Sequence, residues 1–215
     1  MIALIDYGAG NLTSVRKALS ALGAEYGIPA SPSELAGASG VIVPGVGHIT
    51  ATAALDGAWR DAIAASVERR VPLFGICLGM QWLFEASDED PDVRGLGAIR
   101  GRITRLRGDR ERRIKVPHVG WNALDFTERP SRLLRGLTSG AQVYFTHSYA
   151  APVTPEAVAL TTHGDETFAS VVERDNVFGV QFHPEKSGEP GLQIVRNFLE
   201  ACGPARAACA GNEAC

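Results

Sequence analysis

The sequence predicts an α/β protein with an open, mostly parallel central sheet, helices on both faces and an added antiparallel portion. Three observations carry this. Short apolar runs at Ile2 to Ile5, Gly40 to Pro44 and Val71 to Ile76 each lead into a glycine-bearing turn. Apolar residues at helical spacing follow those turns, so strand and helix alternate as in parallel sheets. From Ile99 onward the rhythm changes to short β pieces, with a hairpin expected around His163-Gly-Asp165.

In chain order, Ile2 to Ile5 opens as a strand and Asp6-Tyr-Gly-Ala-Gly-Asn11 follows as a turn. Leu12, Val15, Leu19 and Leu22 then form one helical stripe. Gly8-x-Gly10 lacks the third glycine of a dinucleotide fingerprint, so this loop reads as a rim element beyond a parallel strand. Gly40 to Pro44 ends in Gly45-Val-Gly47-His48, where two glycines let a peptide present its N–H to a ligand. Leu55, Trp59, Ile63 and Val67 mark the next helix. Ser87 to Asp92 reads as an exposed acidic connection, and Arg105, Arg107, Arg110, Arg112, Arg113 and Lys115 as a solvated basic face. Val116 to Asn122 is read as turn-like, with His118, Trp121 and Asn122 available for recognition. Gln142 to Tyr149 is a strand with a polar end, Asn176 to Phe182 the last strand, and Leu192, Val195, Phe198 and Leu199 the closing helix.

At 215 residues the chain suits one large domain, expected over 1–201, with 202–215 a flexible Ala- and Gly-rich tail. Hydrophobic content of 45% and 21% charge are ordinary for a soluble globular protein. A net charge of −3 gives no electrostatic case for nucleic acid or a membrane surface. No signal pattern or membrane-length apolar stretch is present, so a cytoplasmic location is expected. Cys77, Cys202, Cys209 and Cys215 make no disulfide framework and lack metal-site spacing.

The chemistry centres on Pro72-Leu-Phe-Gly-Ile-Cys77-Leu-Gly-Met-Gln81. A Gly-x-Cys-x-Gly turn between strand and helix has the form of a nucleophile elbow, with cysteine in place of serine. At a helix N-terminus the dipole and unpaired N–H groups favour a thiolate and can hold an oxyanion. A buried structural cysteine at a tight turn fits the same short motif. A cysteine nucleophile needs a base and a group that orients it. His183 ends a buried strand, with Glu185 two residues on; His147, also at a strand end, is the second candidate base.

Gly75-Ile-Cys77-Leu-Gly-Met-Gln81 with His183-Pro-Glu185 resembles the triad of class I glutamine amidotransferases. Ile5-Asp-Tyr-Gly-Ala-Gly-Asn-Leu12, Pro44-Gly-Val-Gly47, Lys115-Val-Pro-His-Val-Gly-Trp-Asn122, Tyr144-Phe-Thr-His-Ser-Tyr149 and Gln181-Phe-His-Pro-Glu-Lys-Ser187 extend the likeness over residues 1 to about 201. Within the class these stretches are similar to the glutaminase subunits of imidazole glycerol phosphate synthases. The resemblance implies a class I amidotransferase fold and glutamine hydrolysis by Cys77, His183 and Glu185. It implies oxyanion donors at Leu78 and within Gly45-Val46-Gly47, and glutamine binding by Gln81 and the backbone of His147, Ser148 and Tyr149. It further implies ammonia transfer to a (β/α)8 synthase subunit, which makes imidazole glycerol phosphate and aminoimidazole-carboxamide ribotide in histidine biosynthesis. Asn11, Trp121, Tyr144 and Lys186 match the docking face, and no metal or organic cofactor is implied. His48 and Ile49 depart from the family, which usually has a small residue and then phenylalanine there. A glutaminase serving another synthase, such as anthranilate synthase, or a free-standing cysteine γ-glutamyl hydrolase would keep the triad. The former should lack the His118 to Asn122 segment, and the latter needs no docking face.

Overall fold

The computed structural model describes residues 1–9 and 12–203. Its strands are β1 (Ile2–Leu4), β2 (Tyr26–Gly27), β3 (Gly40–Val43), β4 (Leu73–Ile76), β5 (Ala86–Ser87), β6 (Arg102–Arg105), β7 (His118–Phe126), β8 (Ala141–His147), β9 (Tyr149–Ala150), β10 (Ala157–His163), β11 (Glu166–Arg174) and β12 (Val177–Val180). The helices are α1 (Leu12–Ala21), α2 (Ala58–Glu68), α3 (Leu78–Leu83) and α4 (Gly188–Ala201). One nine-stranded sheet runs β2-β1-β3-β4-β12-β11-β10-β7-β8. From β2 to β12 every neighbour is parallel; from β12 to β8 every neighbour is antiparallel. The expected antiparallel portion is therefore a direct continuation of the parallel sheet. A smaller sheet joins β5, β6 and β9.

Alternation along the buried strands decides which helix goes where. Ile2, Leu4, Ile42, Phe74 and Phe178 face α1 and α4, packing with Val15, Leu19, Ile194, Val195 and Phe198. Ala3, Ile5, Val41, Val43 and Leu73 face the other way, with Ile63 of α2 and Met80, Trp82 and Leu83 of α3. Each fully buried large side chain contributes about 1.5–3 kcal/mol, so both faces of the short parallel strands are held by apolar packing. Among the described residues, no helix is long and apolar enough to cross a membrane.

Three sequence expectations change. Residues His118 to Asn122 are not a turn but the first half of β7, paired with β8 from His118↔His147 to Leu124↔Ala141. Gly120 and Asn122 are poor strand formers, but cross-strand packing on β8 overrides local propensity. Leu55, expected in the helix with Trp59, Ile63 and Val67, lies in a 3-10 turn before α2. The polar strand end breaks at Ser148, because Tyr149 and Ala150 leave the large sheet to pair with β6. Cys202 is the C-cap of α4, while Cys209, Cys215 and the rest of the expected tail beyond Gly203 lie outside the described residues.

The tightest packing lies beneath the elbow. A Cβ on Gly75 would sit 2.6 Å from the Gly79 carbonyl oxygen, and one on Gly79 would overlap the Val43 carbonyl. Both glycines are required by this approach of α3 to β3 and β4. Gly79→Ala should therefore lower the unfolding free energy by about 3 kcal/mol or more. Gly37→Ala, with open space around it, should stay within about 0.5 kcal/mol; urea denaturation of the two variants compares them directly.

Candidate active site

β4 and β12 are adjacent and parallel, with Ile76 opposite Val180. Their C-terminal ends therefore deliver Cys77 and the Gln181 to Glu185 segment to one place. Such edges are where open α/β sheets bind ligands. Cys77 is pinned by its N–H donating to the Val180 carbonyl at 2.8 Å and stands at φ 52°, ψ −104°. A cysteine in this left-handed region carries strain of order 1–3 kcal/mol, held by the glycine packing below it.

His183 is 2% exposed. Its N–H donates to the Tyr144 carbonyl at 3.0 Å, and its Nδ1 lies 2.8 Å from Oε1 of Glu185. Its Nε2 is buried, makes no hydrogen bond to a nitrogen or oxygen, and faces the Cys77 sulfur. Burial pulls its pKa down, but Cys77 and Glu185, through hydrogen bonding and charge, outweigh burial and lift it to about 10. The ring therefore carries a proton at neutral pH beside the sulfur. His147, the second candidate base, has no free nitrogen. Nε2 is 3.0 Å from Nδ1 of His118, and Nδ1 is 2.9 Å from the Tyr149 carbonyl. It is structural.

A cavity of about 220 Å³ opens at the elbow, lined by Gly47, Cys77, Leu78, Gln81, Glu89, Pro117, Thr146, His147, Ser148 and Tyr149. The expected glutamine-binding residues are thus brought together. The Gln81 side chain is turned inward, its Nε2 donating to the Tyr149 carbonyl at 2.8 Å and to Oε1 of Gln181 at 3.1 Å. Glu89 was not singled out by the sequence, where it sits in an acidic stretch read as solvated. Its Oε2 accepts the N–H of Ile49 at 2.8 Å, which bends the loop back over the cavity and sets a carboxylate on its wall.

Two of the expected oxyanion donors are engaged elsewhere. The Leu78 N–H donates to the Gly45 carbonyl at 3.3 Å, and the Val46 N–H to the Ala9 carbonyl at 3.0 Å. The Gly45–Val46 peptide thus turns its oxygen toward the elbow. A Cβ on Gly45 would collide with the Tyr7 hydroxyl and lie 2.8 Å from Cβ of Leu78, so this peptide lies close against the elbow. Ile49, one of the two departures, is 2% exposed and packs with Ala9 and Leu78. His48 stays exposed and accepts the Thr50 N–H at 3.3 Å. Of the expected docking residues, Trp121 is 57% exposed and meets Tyr144 edge-on at 6.1 Å. Lys186 is exposed, and Asn11 lies outside the described residues.

The family model described as glutamine amidotransferase class-I matches residues 3–202. The chain belongs to that family. An imidazole glycerol phosphate synthase subunit HisH from Moorella thermoacetica is 47% identical over 204 residues, covering 93% of this chain and 94% of the relative. The protein of the same name from Gloeobacter violaceus is 46% identical over 203 residues, covering 93% and 88%. A crystal structure of a glutamine amidotransferase superposes with a TM-score of 0.73 at 22% identity, covering 94% of this chain and 99% of that one. PurLQS from Thermotoga maritima gives 0.69 at 19%, covering 93% and 97%. Both structures share the amidotransferase fold.

The histidines around the site set a pH dependence. Burial, aided by His163, lowers His118 to about 4. Burial likewise lowers His147 to about 3, against the hydrogen bond to Tyr149. Unfolded, both bind protons near pH 6.5, so between pH 6.5 and 4.5 the unfolded chain holds more protons and stability rises with pH. His183 works in the opposite sense: its contribution is complete below pH 6.5 and lost as pH rises through about 10. Unfolding free energy measured from pH 4.5 to 6.5 should climb with a slope of up to about 1.4 kcal/mol per unit for each buried histidine. His118→Asn should flatten that limb, and an unchanged slope would remove His118 from the account.

Proposed function

We propose that this chain is the glutamine-hydrolysing subunit of an imidazole glycerol phosphate synthase in histidine biosynthesis, acting through Cys77, His183 and Glu185. The observation that carries the chemistry is His183, braced by Glu185 at 2.8 Å beside the elbow cysteine, two partners that raise its pKa. The names of relatives 46–47% identical over nearly the whole chain carry the synthase.

The Cys77 thiolate attacks the side-chain carbonyl carbon of glutamine. His183 passes its proton to the departing nitrogen as the C–N bond breaks, releasing ammonia and leaving a glutamyl thioester. Water then attacks the thioester with His183 as base, and glutamate leaves. Glu185 keeps Nε2 turned to the sulfur. The Glu89 carboxylate suits the substrate ammonium, and the backbone around Ser148 and Tyr149 suits the α-carboxylate. Ammonia passes to a (β/α)8 synthase subunit. Val46, Val119 and Trp121, all exposed, with Tyr144 and Lys186, form the face that receives it. This apolar rim favours a docked partner over a free-standing γ-glutamyl hydrolase. A cytoplasmic setting goes with this reading, since Cys77 works as a reduced thiol and Cys202 is also free.

Cys77→Ser should abolish glutamine hydrolysis, while the complex reconstituted with its synthase still makes product from ammonium salts. Glutamine-dependent turnover surviving in that variant would falsify the triad assignment.

The Gly45 carbonyl facing the Leu78 N–H implies a resting state. An oxyanion donor is worth roughly 10²–10³ in kcat, so a peptide turned oxygen-inward silences a complete triad. Contacts from the synthase with its nucleotide bound supply the bias toward the turned peptide. Steady-state glutamine kinetics should show kcat rising about 10²-fold or more when the liganded synthase is added, with KM changing far less. Equal kcat with and without the partner would reject the switch.

A further inference from the structure

Gln181 belongs to a sequence stretch shared with the family, yet neither the triad nor the substrate contacts use it. It is fully buried, at the end of an apolar strand, where an amide is costly unless its hydrogen bonds are made. Just past β12, Phe182 packs into the core, while Gln181 and His183 both approach the Cys77 sulfur. The Gln181 N–H is tied to the Ser170 carbonyl at 2.9 Å, so the position of its side chain is fixed from behind.

The orientation of the amide follows by elimination. The Tyr149 carbonyl can only accept, so Gln81 must turn its NH2 group to it, at 2.8 Å. The same NH2 group reaches Oε1 of Gln181 at 3.1 Å. Gln181 therefore presents its own NH2 group to Sγ of Cys77, at 3.7 Å. With the Gln181 amide reversed, two NH2 groups would oppose each other and an oxygen would face the sulfur. A donor held on sulfur favours the thiolate over the thiol, whose proton would compete for the same space.

We propose that Gln181 is a further catalytic residue: its side-chain amide donates to Sγ of Cys77 and stabilises the thiolate that attacks glutamine. The proposal rests on the glutaminase reading above. It adds a second donor to the nucleophile, two residues before His183. Through Gln81 and the Tyr149 carbonyl, that donor is braced by the wall of the glutamine cavity.

The test is the pH dependence of Cys77 alkylation by chloroacetamide in the full-length chain, followed by peptide mass spectrometry. The titratable groups around the sulfur are Tyr7, Glu89, His147, His183 and Glu185, all retained when Gln181 is replaced. Gln181→Met should raise the alkylation midpoint by about one pH unit, the size of one hydrogen bond to a charged group. Gln181→Glu, which sets an acceptor on the sulfur, should raise it further, and in both variants glutaminase activity lost at neutral pH should partly return at higher pH. Midpoints equal to that of the unmodified chain would overturn the role of Gln181 and leave the glutaminase reading intact. If Cys77 of the unmodified chain reacts no faster than Cys202, the glutaminase reading itself fails. A measurement on the unmodified protein covers the case in which neither variant folds. In the chain labelled with side-chain 15N-glutamine, the Gln181 amide resonance should move with the Cys77 midpoint and stop titrating after alkylation. A Gln181 resonance indifferent to both overturns the proposal.

Discussion

The constraint on which the site depends is the absence of two Cβ atoms. Gly79 lies against the Val43 carbonyl and Gly75 against the Gly79 carbonyl, so α3 leaves the sheet with almost no intervening chain. Cys77 is the residue that makes the corner, and it does so at φ 52°. Any looser packing would let the backbone relax toward ordinary φ and swing the sulfur away from His183. Apolar packing of Met80, Trp82 and Leu83 on the sheet face supplies the restoring force. The nucleophile is thus positioned by core packing more than by polar contacts of its own.

A second constraint joins the two halves of the large sheet. The Tyr149 carbonyl accepts from Gln81 at 2.8 Å and from His147 at 2.9 Å. Gln81 is on the helix of the elbow, and His147 ends a strand of the antiparallel half. Because that carbonyl can only accept, it fixes a proton on Nδ1 of His147. Nε2 of His147 must then accept from His118, whose remaining nitrogen lies 3.3 Å from the Asn122 amide. A further clamp runs through Ser187, whose hydroxyl donates to the His183 carbonyl at 2.6 Å and accepts the Tyr144 N–H at 2.9 Å. His183 is therefore anchored to β8, the strand that carries Tyr144.

What the sequence made legible was whatever depends on local pattern. Strand, glycine turn and helix in repetition gave the parallel half, and Gly-x-Cys-x-Gly marked the elbow before any partner residue was known. The pairing of Cys77 with His183 was accessible because both end buried strands. The inward turn of Glu89 was not accessible, since its neighbours Asp88, Asp90 and Asp92 describe a solvated loop. It is decided by one long-range bond to the Ile49 N–H. The strand character of His118 to Asn122 was hidden for a similar reason: Gly120 and Asn122 read as turn residues until β8 pairs with them. Gln181 did leave a signal, an amide inside an apolar strand run, and such a residue asks for a buried partner.

The geometry separates what is already built from what the proposed switch would move. Cys77, His183 and Glu185 stand together in the isolated chain, and Gln81, Glu89, Ser148 and Tyr149 converge on one cavity. The Gly45–Val46 peptide is turned with oxygen rather than N–H toward the elbow. In the proposed reading this confines the resting state to one peptide beside an exposed rim, instead of spreading it over the core. Turning that peptide requires breaking the Val46 bond to Ala9 and the Leu78 bond to Gly45, two backbone hydrogen bonds with net values of about 1 kcal/mol each. In the proposed switch, contacts from a docked partner would offset that cost. Gly47, at φ 101° with open space around it, gives the strand end the freedom to make the turn without disturbing the elbow below.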